Sequence, residues 1–456
     1  MRRPLLAALL LLLAAAPAAE AKPFTVGTGQ QGGIAIDDGG TVYVGWQINT
    51  YEPGDAVQFC VLPPRATTCA SQVTIPFPGK GYNRSRVSVL LPGPNMVDVI
   101  VPRSDVANDA HTYIARSLDG GRTFGPPHQL AEPTFAEGVQ GPGGRVALVD
   151  GPTTTRAGLF PADGSAGAVP GAELGPYLEG VFTDIAASGE EVLAAGSDAG
   201  TTHAFRLPAG GDPNNTAAWQ QLDPAAGTRE PELAGLPGGF AVLLEETRSF
   251  GNLIVQRLAG NAWSPPVAIM PAVSNNGFAL HGNGRGRLTA VVNYSAYHLH
   301  YMHSTDGGVL WSSTVNIGDF AEYPDALEIA TNARGAGAAV TNDAFGDAKP
   351  VMVTRFTPRS SPVARRRFRG ARVQVRSLCD DDKLSLVVEA ARGDRRIAPS
   401  AVLRRARFGR ARGARRGFRT RFRARYELRR SRARIPVRVI PRRGKARTLR
   451  LRVRRC

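Results

Sequence analysis

Gly238-Gly239-Phe240-Ala241-Val242-Leu243-Leu244 is a glycine pair followed by five apolar residues, the signature of a buried strand entered from a tight hairpin. Six more short apolar strands each follow a tight turn, at residues 41–46, 96–101, 145–149, 191–195, 287–292 and 336–340. The preceding turns are Gly39-Gly40, Pro94-Asn95, Gly143-Gly144, Gly189-Glu190, Arg285-Gly286 and Arg334-Gly335. Gly and Asn supply the positive φ that two-residue hairpin turns require. With Trp46, Val99, Ala147, Ala194, Leu243, Val291 and Val340 as centres, the spacings are 53, 48, 47, 49, 48 and 49 residues. A period this even marks a repeat architecture.

Each unit holds more than one strand. An earlier strand is read at Ser85–Leu91, Gly180–Ala187 and Pro324–Ala330, and a third at His111–Arg116, Leu253–Leu258 and Leu299–His303. A weak fourth, such as Val267-Ala268-Ile269, closes most units. Four short strands per unit, repeated radially, describe the blades of a β-propeller. The last unit lacks its fourth strand, and Phe24-Thr25-Val26 is placed to supply it and close the ring, removing exposed sheet edges. The count is seven blades, six being the alternative. With 52 Gly and 34 Pro in 456 residues, the composition also favours a turn-rich all-β chain.

The net charge of +18 divides the chain unequally. Between Ser361 and Cys456 lie 34 Lys and Arg against 6 Asp and Glu, whereas the first 360 residues hold 22 basic and 32 acidic groups. A uniformly basic protein is excluded. Residues 22–358 form the acidic propeller, 359–364 a linker, and 365–456 a basic domain. That domain alternates with period 2, as in Phe422-Arg423-Ala424-Arg425-Tyr426 and Leu449-Arg450-Leu451-Arg452-Val453. One apolar and one arginine face suggest an immunoglobulin-like or fibronectin-like sandwich. So cationic a domain suits acidic surface polymers. Its shortage of aromatic platforms, and expected export, argue against nucleic acid.

Residues 1–21 read as a signal peptide: Arg2-Arg3, the apolar run Leu5–Ala16, then Ala19-Glu20-Ala21 before the cleavage point. The run is about 12 residues, short of the roughly 20 that span a bilayer. No later stretch approaches that length, so the mature chain is expected to be secreted or surface-associated, without a transmembrane span. Export permits disulfides, and Cys60–Cys69 and Cys379–Cys456 pair naturally by region. No cofactor motif is found and no metal site is expected. His298, His300 and His303 are the only histidines at suggestive spacing, and they read as solvated strand residues.

Ser117-Leu118-Asp119-Gly120-Gly121-Arg122-Thr123-Phe124 fits S-x-D-x-G-x-T-[WF] throughout, and Ser304-Thr305-Asp306-Gly307-Gly308-Val309-Leu310-Trp311 fits with Leu310 in place of Thr. Both resemble the Asp-box, or bacterial neuraminidase repeat, of sialidases and related secreted propellers. The resemblance implies a structural role: Ser117, Asp119, Gly121, Thr123 and Phe124, with Ser304, Asp306, Gly308 and Trp311, fasten hairpins. For sialidases it further implies three arginines clamping a carboxylate, a Tyr/Glu nucleophile pair and an Asp acid/base. The Arg-Ile-Pro segment that usually precedes the first Asp-box is absent here; Arg434-Ile435-Pro436 lies in the basic domain.

Propeller ligands meet the loops entering first strands and leaving second strands. Arg229-Glu230-Pro231-Glu232 and Glu322-Tyr323-Pro324-Asp325 enter first strands, and Glu245-Glu246 leaves a second. Arg229, Glu246, Tyr323 and Asp325 are therefore the candidate catalytic residues, paired carboxylates being suited to acid/base work on a glycosidic bond. The expected function is binding of a glycan or protein ligand at the propeller mouth. A sialidase-like exo-glycoside hydrolase and a structural surface protein without catalysis are the alternatives.

Overall fold

The computed structural model describes residues 22–356, apart from residues 49–55, 82–85, 105–109, 132–136, 151–153, 164–170, 177–181, 198–199, 248–250, 271–276, 295–297, 310, 313, 320–323 and 344–348, together with the strand backbones between residues 363 and 454. The leader reading and the Cys379–Cys456 pairing lie outside the described residues. Two compact units are present: residues 1–301 with 316–356, and residues 302–315 with 357–456.

Seven antiparallel sheets form a seven-bladed propeller. The first strand of each blade is innermost, and the tight turns of the repeat join it to the second, as in the two-residue connection between Leu236 and Gly239. In order, blade 1 has its inner strand at Gln30–Ile36, blade 2 at Ser88–Gly93, blade 3 at Glu137–Gln140, and blade 4 at Phe182–Ser188. Blades 5, 6 and 7 have theirs at Thr228–Leu236, Phe278–Gly282 and Pro324–Thr331. Blade 7 takes its outer strand from the amino-terminal side: Phe24–Thr28 pairs antiparallel with Pro350–Phe356. The closure expected for Phe24-Thr25-Val26 is the one found.

The second strands are mostly apolar because both of their faces are covered, and the buried Asp98 of blade 2 is held by Arg116. Val97, Val99 and Val101 share a seam with Phe59 and Val57 of blade 1. Ile100, one residue out of phase, meets Val146 and Leu148 of blade 3. In blade 4, Val192 and Ala194 pack towards blade 3, and Leu193 and Ala195 towards blade 5. The core is thus a set of seams between neighbouring sheets, each fully buried aliphatic side chain contributing roughly 1.5–3 kcal/mol. Among the described residues, the channel-side edges of the inner strands have no sheet partner.

The outer hairpins carry the two fasteners. Asp119 Oδ1 accepts from the Arg122 and Thr123 amides at 3.0 and 2.9 Å, and Oδ2 from Thr123 Oγ1 at 2.7 Å. Ser117 Oγ accepts from Gly121 N at 2.8 Å. Gly121 has φ +82°, and a Cβ there would stand 2.4 Å from Phe59. Phe124 packs edge-on against Phe59 at 4.9 Å, locking the hairpin of blade 2 onto blade 1. In blade 6, Gly308 N donates to Ser304 Oγ at 2.8 Å and Trp311 Nε1 to Gly308 O at 3.1 Å. Leu310 brings no hydroxyl to repeat the bond of Thr123. The Cys60–Cys69 disulfide closes another outer hairpin, in blade 1.

In the second unit, strands Val363–Phe368, Ala371–Leu378, Lys383–Ala390, Arg419–Glu427 and Gly413–Arg416 form a five-stranded sheet. Arg395–Ile397, Arg432–Pro441 and Arg447–Arg454 form a three-stranded one. The five-stranded sheet is antiparallel throughout, as are the three strands of the other.

Candidate functional site

The inner strands of a propeller surround its axis, so polar residues on them either satisfy the free strand edge or face the channel. Glu137, Asp184, Glu232, His281 and Glu328 lie 47, 48, 49 and 47 residues apart, one in each inner strand of blades 3 to 7. Arg86 precedes the inner strand of blade 2. Five of these six groups feel one another's charge. Glu137 interacts with Asp184, Glu328 and Arg86, and Glu232 with Arg86, Glu328 and Glu137. Side chains from five different blades can come so close only on the axis. Arg86 Nη1 bonds Glu328 Oε1, yet 31% and 21% of these side chains stay accessible, as befits groups that line a lumen.

Burial and mutual repulsion set the protonation of this cluster. Loss of solvent pushes the Glu137 carboxyl well above its ordinary range, Asp184 and Glu328 add to the push, and Arg86 opposes it. Glu232 is raised chiefly by burial, with Glu328 and Glu137 reinforcing and Arg86 counteracting. Burial likewise raises Asp184, followed by the charge of Glu232. Desolvation weakens the Arg86 cation, but the surrounding carboxylates outweigh it and hold its proton more tightly than usual. Burial drops His281 to about 4, so its imidazole is neutral in neutral solution.

Several of these groups also cap the free inner edges. Asp184 Oδ2 accepts from the Leu233 amide of the next blade, and the Glu232 carboxylate from the Leu280 amide. Ser88 Oγ accepts from Gly138 N at 3.1 Å, and Asn342 Oδ1 from Gly32 N at 3.2 Å. His281 Nδ1 and Thr331 Oγ1 lie 2.8 Å apart. Each contact passes from one blade to the next, and all but the His281–Thr331 pair satisfy a backbone amide.

Glu232 and Glu328 each follow a register shift in the inner strand, between Arg229 and Glu232 and between Asp325 and Glu328. Bulges of this kind re-aim a side chain. A third lies between Gln30 and Gly33 of blade 1. Glu230 and Gln31 within these bulges take φ of +53° and +55°, where side chains are strained. The Glu230 amide is held by Ser197 Oγ at 3.0 Å.

At the mouth, Arg229 Nε donates to Glu245 Oε2 at 3.1 Å and lies 3.7 Å from Glu230 Oε1, with 41% of its side chain accessible. Burial raises the Glu230 carboxyl, Glu245 reinforces this, and Arg229 opposes it. Glu246 turns instead to Asn252, accepting from its backbone and side-chain nitrogens at 3.1 and 2.7 Å. The structure thus couples Arg229 to Glu245, and Glu246 fastens its own loop through Asn252. Tyr323 lies outside the described residues, and Asp325 is placed only by its backbone, opposite Asn342. Arg103 is fully buried and donates to the Pro78 and Gly79 carbonyls. His298 Nδ1 meets Asp319 Oδ1 at 2.7 Å, and among the described residues no cluster of three or more ligands is arranged for a metal. Residue by residue, the lumen cluster looks like isolated strand acids; the signal that unites it is recurrence at the blade period.

No family model matches the chain, and no curated protein matches it. Among solved structures, the Hadza microbial sialidase Hz136 is similar at 11% identity and a TM-score of 0.41, over 73% of this chain and 66% of the sialidase. The chain thus spans just under two thirds of that protein. The six-bladed lectin of Aleuria aurantia gives 9% identity and a TM-score of 0.38 over 78% and 92% of the two chains. A fungal alcohol oxidase in complex with copper gives 9% and 0.47 over 95% and 98%. The propeller assignment itself stands on the strand pairing.

Proposed function

We propose that this is an exported glycan-binding propeller that takes a neutral, hydroxyl-rich ligand at the lumen between its inner strands. The observation that supports this reading is the convergence of Arg86, Glu137, Asp184, Glu232 and Glu328 from five blades. Carboxyl groups accept hydrogen bonds from sugar hydroxyls, and enclosure by protein strengthens such bonds. One guanidinium joins four carboxyl groups among the described residues. That balance disfavours an anionic sugar, whose carboxylate a sialidase resemblance would give to three arginines. The disulfide of blade 1 supports an oxidising compartment, and the arginine-rich second unit provides a separate contact for acidic surface polymers.

The test is a glycan array probed with the mature chain alongside fluorogenic neutral and sialylated glycosides. Retention of neutral glycans, lost in Glu232→Gln and Arg86→Gln proteins that keep the wild-type circular dichroism, is the expected result. Preference for sialylated ligands, or binding indifferent to both substitutions, would overturn it. A hydrolase reading has one specific support: Glu137 and Glu232, biased towards the protonated form, lie beside the Arg86–Glu328 ion pair, a pairing suited to a general acid. Turnover of a neutral glycoside that Glu232→Gln abolishes would favour it over binding alone.

A further inference from the structure

The strand register of the second unit places like charges opposite one another. In the three-stranded sheet, Arg432 pairs with Arg454 and Arg434 with Arg452, while Arg438 and Arg450 lie on the same face at Thr448 and Pro436. Ile435, Val437, Leu449, Leu451 and their neighbours alternate onto the other face. In the five-stranded sheet Arg421, Arg423 and Arg425 share one face and Phe422 and Tyr426 the other, but there Glu389 stands opposite Arg421 and Glu427 opposite Lys383, so the successive like-charge pairs are those of the three-stranded sheet. Directly opposed like charges destabilise a sheet pair. Two such pairs in succession set guanidinium-bearing residues about 5 Å apart across the strands and about 7 Å apart along them. An anion between the paired positions relieves the repulsion.

The geometry points to a linear polysaccharide bearing sulfate or phosphate monoester groups as the occupant of this arginine face. The inference rests on the reading of residues 365–456 as a contact for acidic polymers, and names the anion. A guanidinium fork matches one carboxylate bidentately. Paired register positions that each carry a guanidinium suit a tetrahedral group with three terminal oxygens better, since such a group has acceptors enough for both. Nucleic acid is the natural competitor for so much arginine, but single strands are held by aromatic residues interleaved with the cations. Here the strands of the three-stranded sheet contain no aromatic residue, and those of the five-stranded sheet fall on the face away from Arg421, Arg423 and Arg425.

The experiment uses the full mature chain titrated with a heparin-type sulfated polysaccharide, a phosphorylated polysaccharide, a polyuronate of matched charge density, and duplex DNA, at several salt concentrations. Binding to either monoester polymer should be about tenfold tighter than to the polyuronate or DNA and fall steeply with salt. The sulfated and phosphorylated arms distinguish the two sources of the group. Arg434→Gln/Arg452→Gln should weaken it about tenfold. Arg434→Lys/Arg452→Lys, which keeps charge and loses the forks, should fall between. Equal binding of the polyuronate would overturn this inference and leave the acidic-polymer reading standing; absence of binding to every polymer would end both. DNA as the tightest ligand, or a Lys variant equal to wild type, would also overturn it.

Discussion

Two carboxyl groups of this propeller respond to folding with opposite sign, and pH separates them. Asp119 is held well below the ordinary carboxylate range by the Thr123 amide first, then by the Thr123 and Ser117 hydroxyls. Its folded pKa lies below the unfolded one, so its stabilisation is complete above the ordinary aspartate value of 3.8 and fades as pH falls through the lower folded value. Asp119→Asn should therefore lower the melting temperature at neutral pH, and the gap from wild type should shrink in strong acid. A gap of equal size at both extremes would contradict the charge-assisted role. Glu232 is raised, so the fold favours its neutral form. Stability from this group is fully present below the unfolded glutamate pKa and declines as pH rises through the folded one. Glu232→Gln should consequently melt higher than wild type at neutral pH and converge with it in acid, while losing glycan retention. Stability gained as binding is lost is what a functional carboxylate in a lumen should show. His281 provides a further acid limb. Its folded value of about 4 lies below the ordinary 6.5, so its contribution is lost as pH falls between the two.

Among the elements, the second strands were legible because their two faces are both buried. Val97, Val99, Ile100 and Val101, and Val192 to Ala195, present apolar side chains to neighbouring seams in alternation, so periodicity leaves a largely hydrophobic run bounded by turns. Inner strands carry a weaker signal. Glu137, Asp184, Glu232 and Glu328 interrupt apolar strands singly, and the bulges before Glu232 and Glu328 are not written in any local turn chemistry. Arg229, Glu246, Tyr323 and Asp325 are legible as polar residues at the strand ends of the mouth, whereas the converging acids become legible only through their recurrence at the blade period. The Cys60–Cys69 pairing was legible from the short hairpin-like segment between them, eight residues containing Pro63-Pro64. Its closed loop is short. Replacing both cysteines with alanine should cost on the order of 2–3 kcal/mol by the chain-entropy relation. Urea unfolding of the double variant measures it, and a difference near zero would mean that Gln58, Thr74 and the strand pairing already hold the hairpin.

For the whole molecule, the opposite charges of the two units were legible from counting, and the ring closure from a missing strand, because both are properties of composition and number rather than of contacts. Closure also makes a claim about cooperativity. Phe24–Thr28 is bonded to Pro350–Phe356, and Trp46 of blade 1 donates from Nε1 to Thr28 O at 2.9 Å, so this short segment joins Asn332, Asn342 and Arg355 in fastening the seam between first and last blades. Trp46 is fully buried, and a Cβ on Gly27 would stand 2.4 Å from its Cζ2. Gly27→Val should therefore overpack the seam and cost roughly 1–3 kcal/mol. In an open stack of sheets that loss would stay local, because each blade touches only its neighbours. In a closed ring, opening the seam exposes two sheet faces and their apolar residues at once, and every blade shares the same global transition. Hydrogen exchange decides between these cases. Amides of Phe182–Ser188 in blade 4, on the far side of the ring, should lose the same free energy of protection as those of Pro350–Phe356. Protection unchanged in blade 4 while blade 7 opens would show that the amino-terminal strand latches one blade and does not govern the ring.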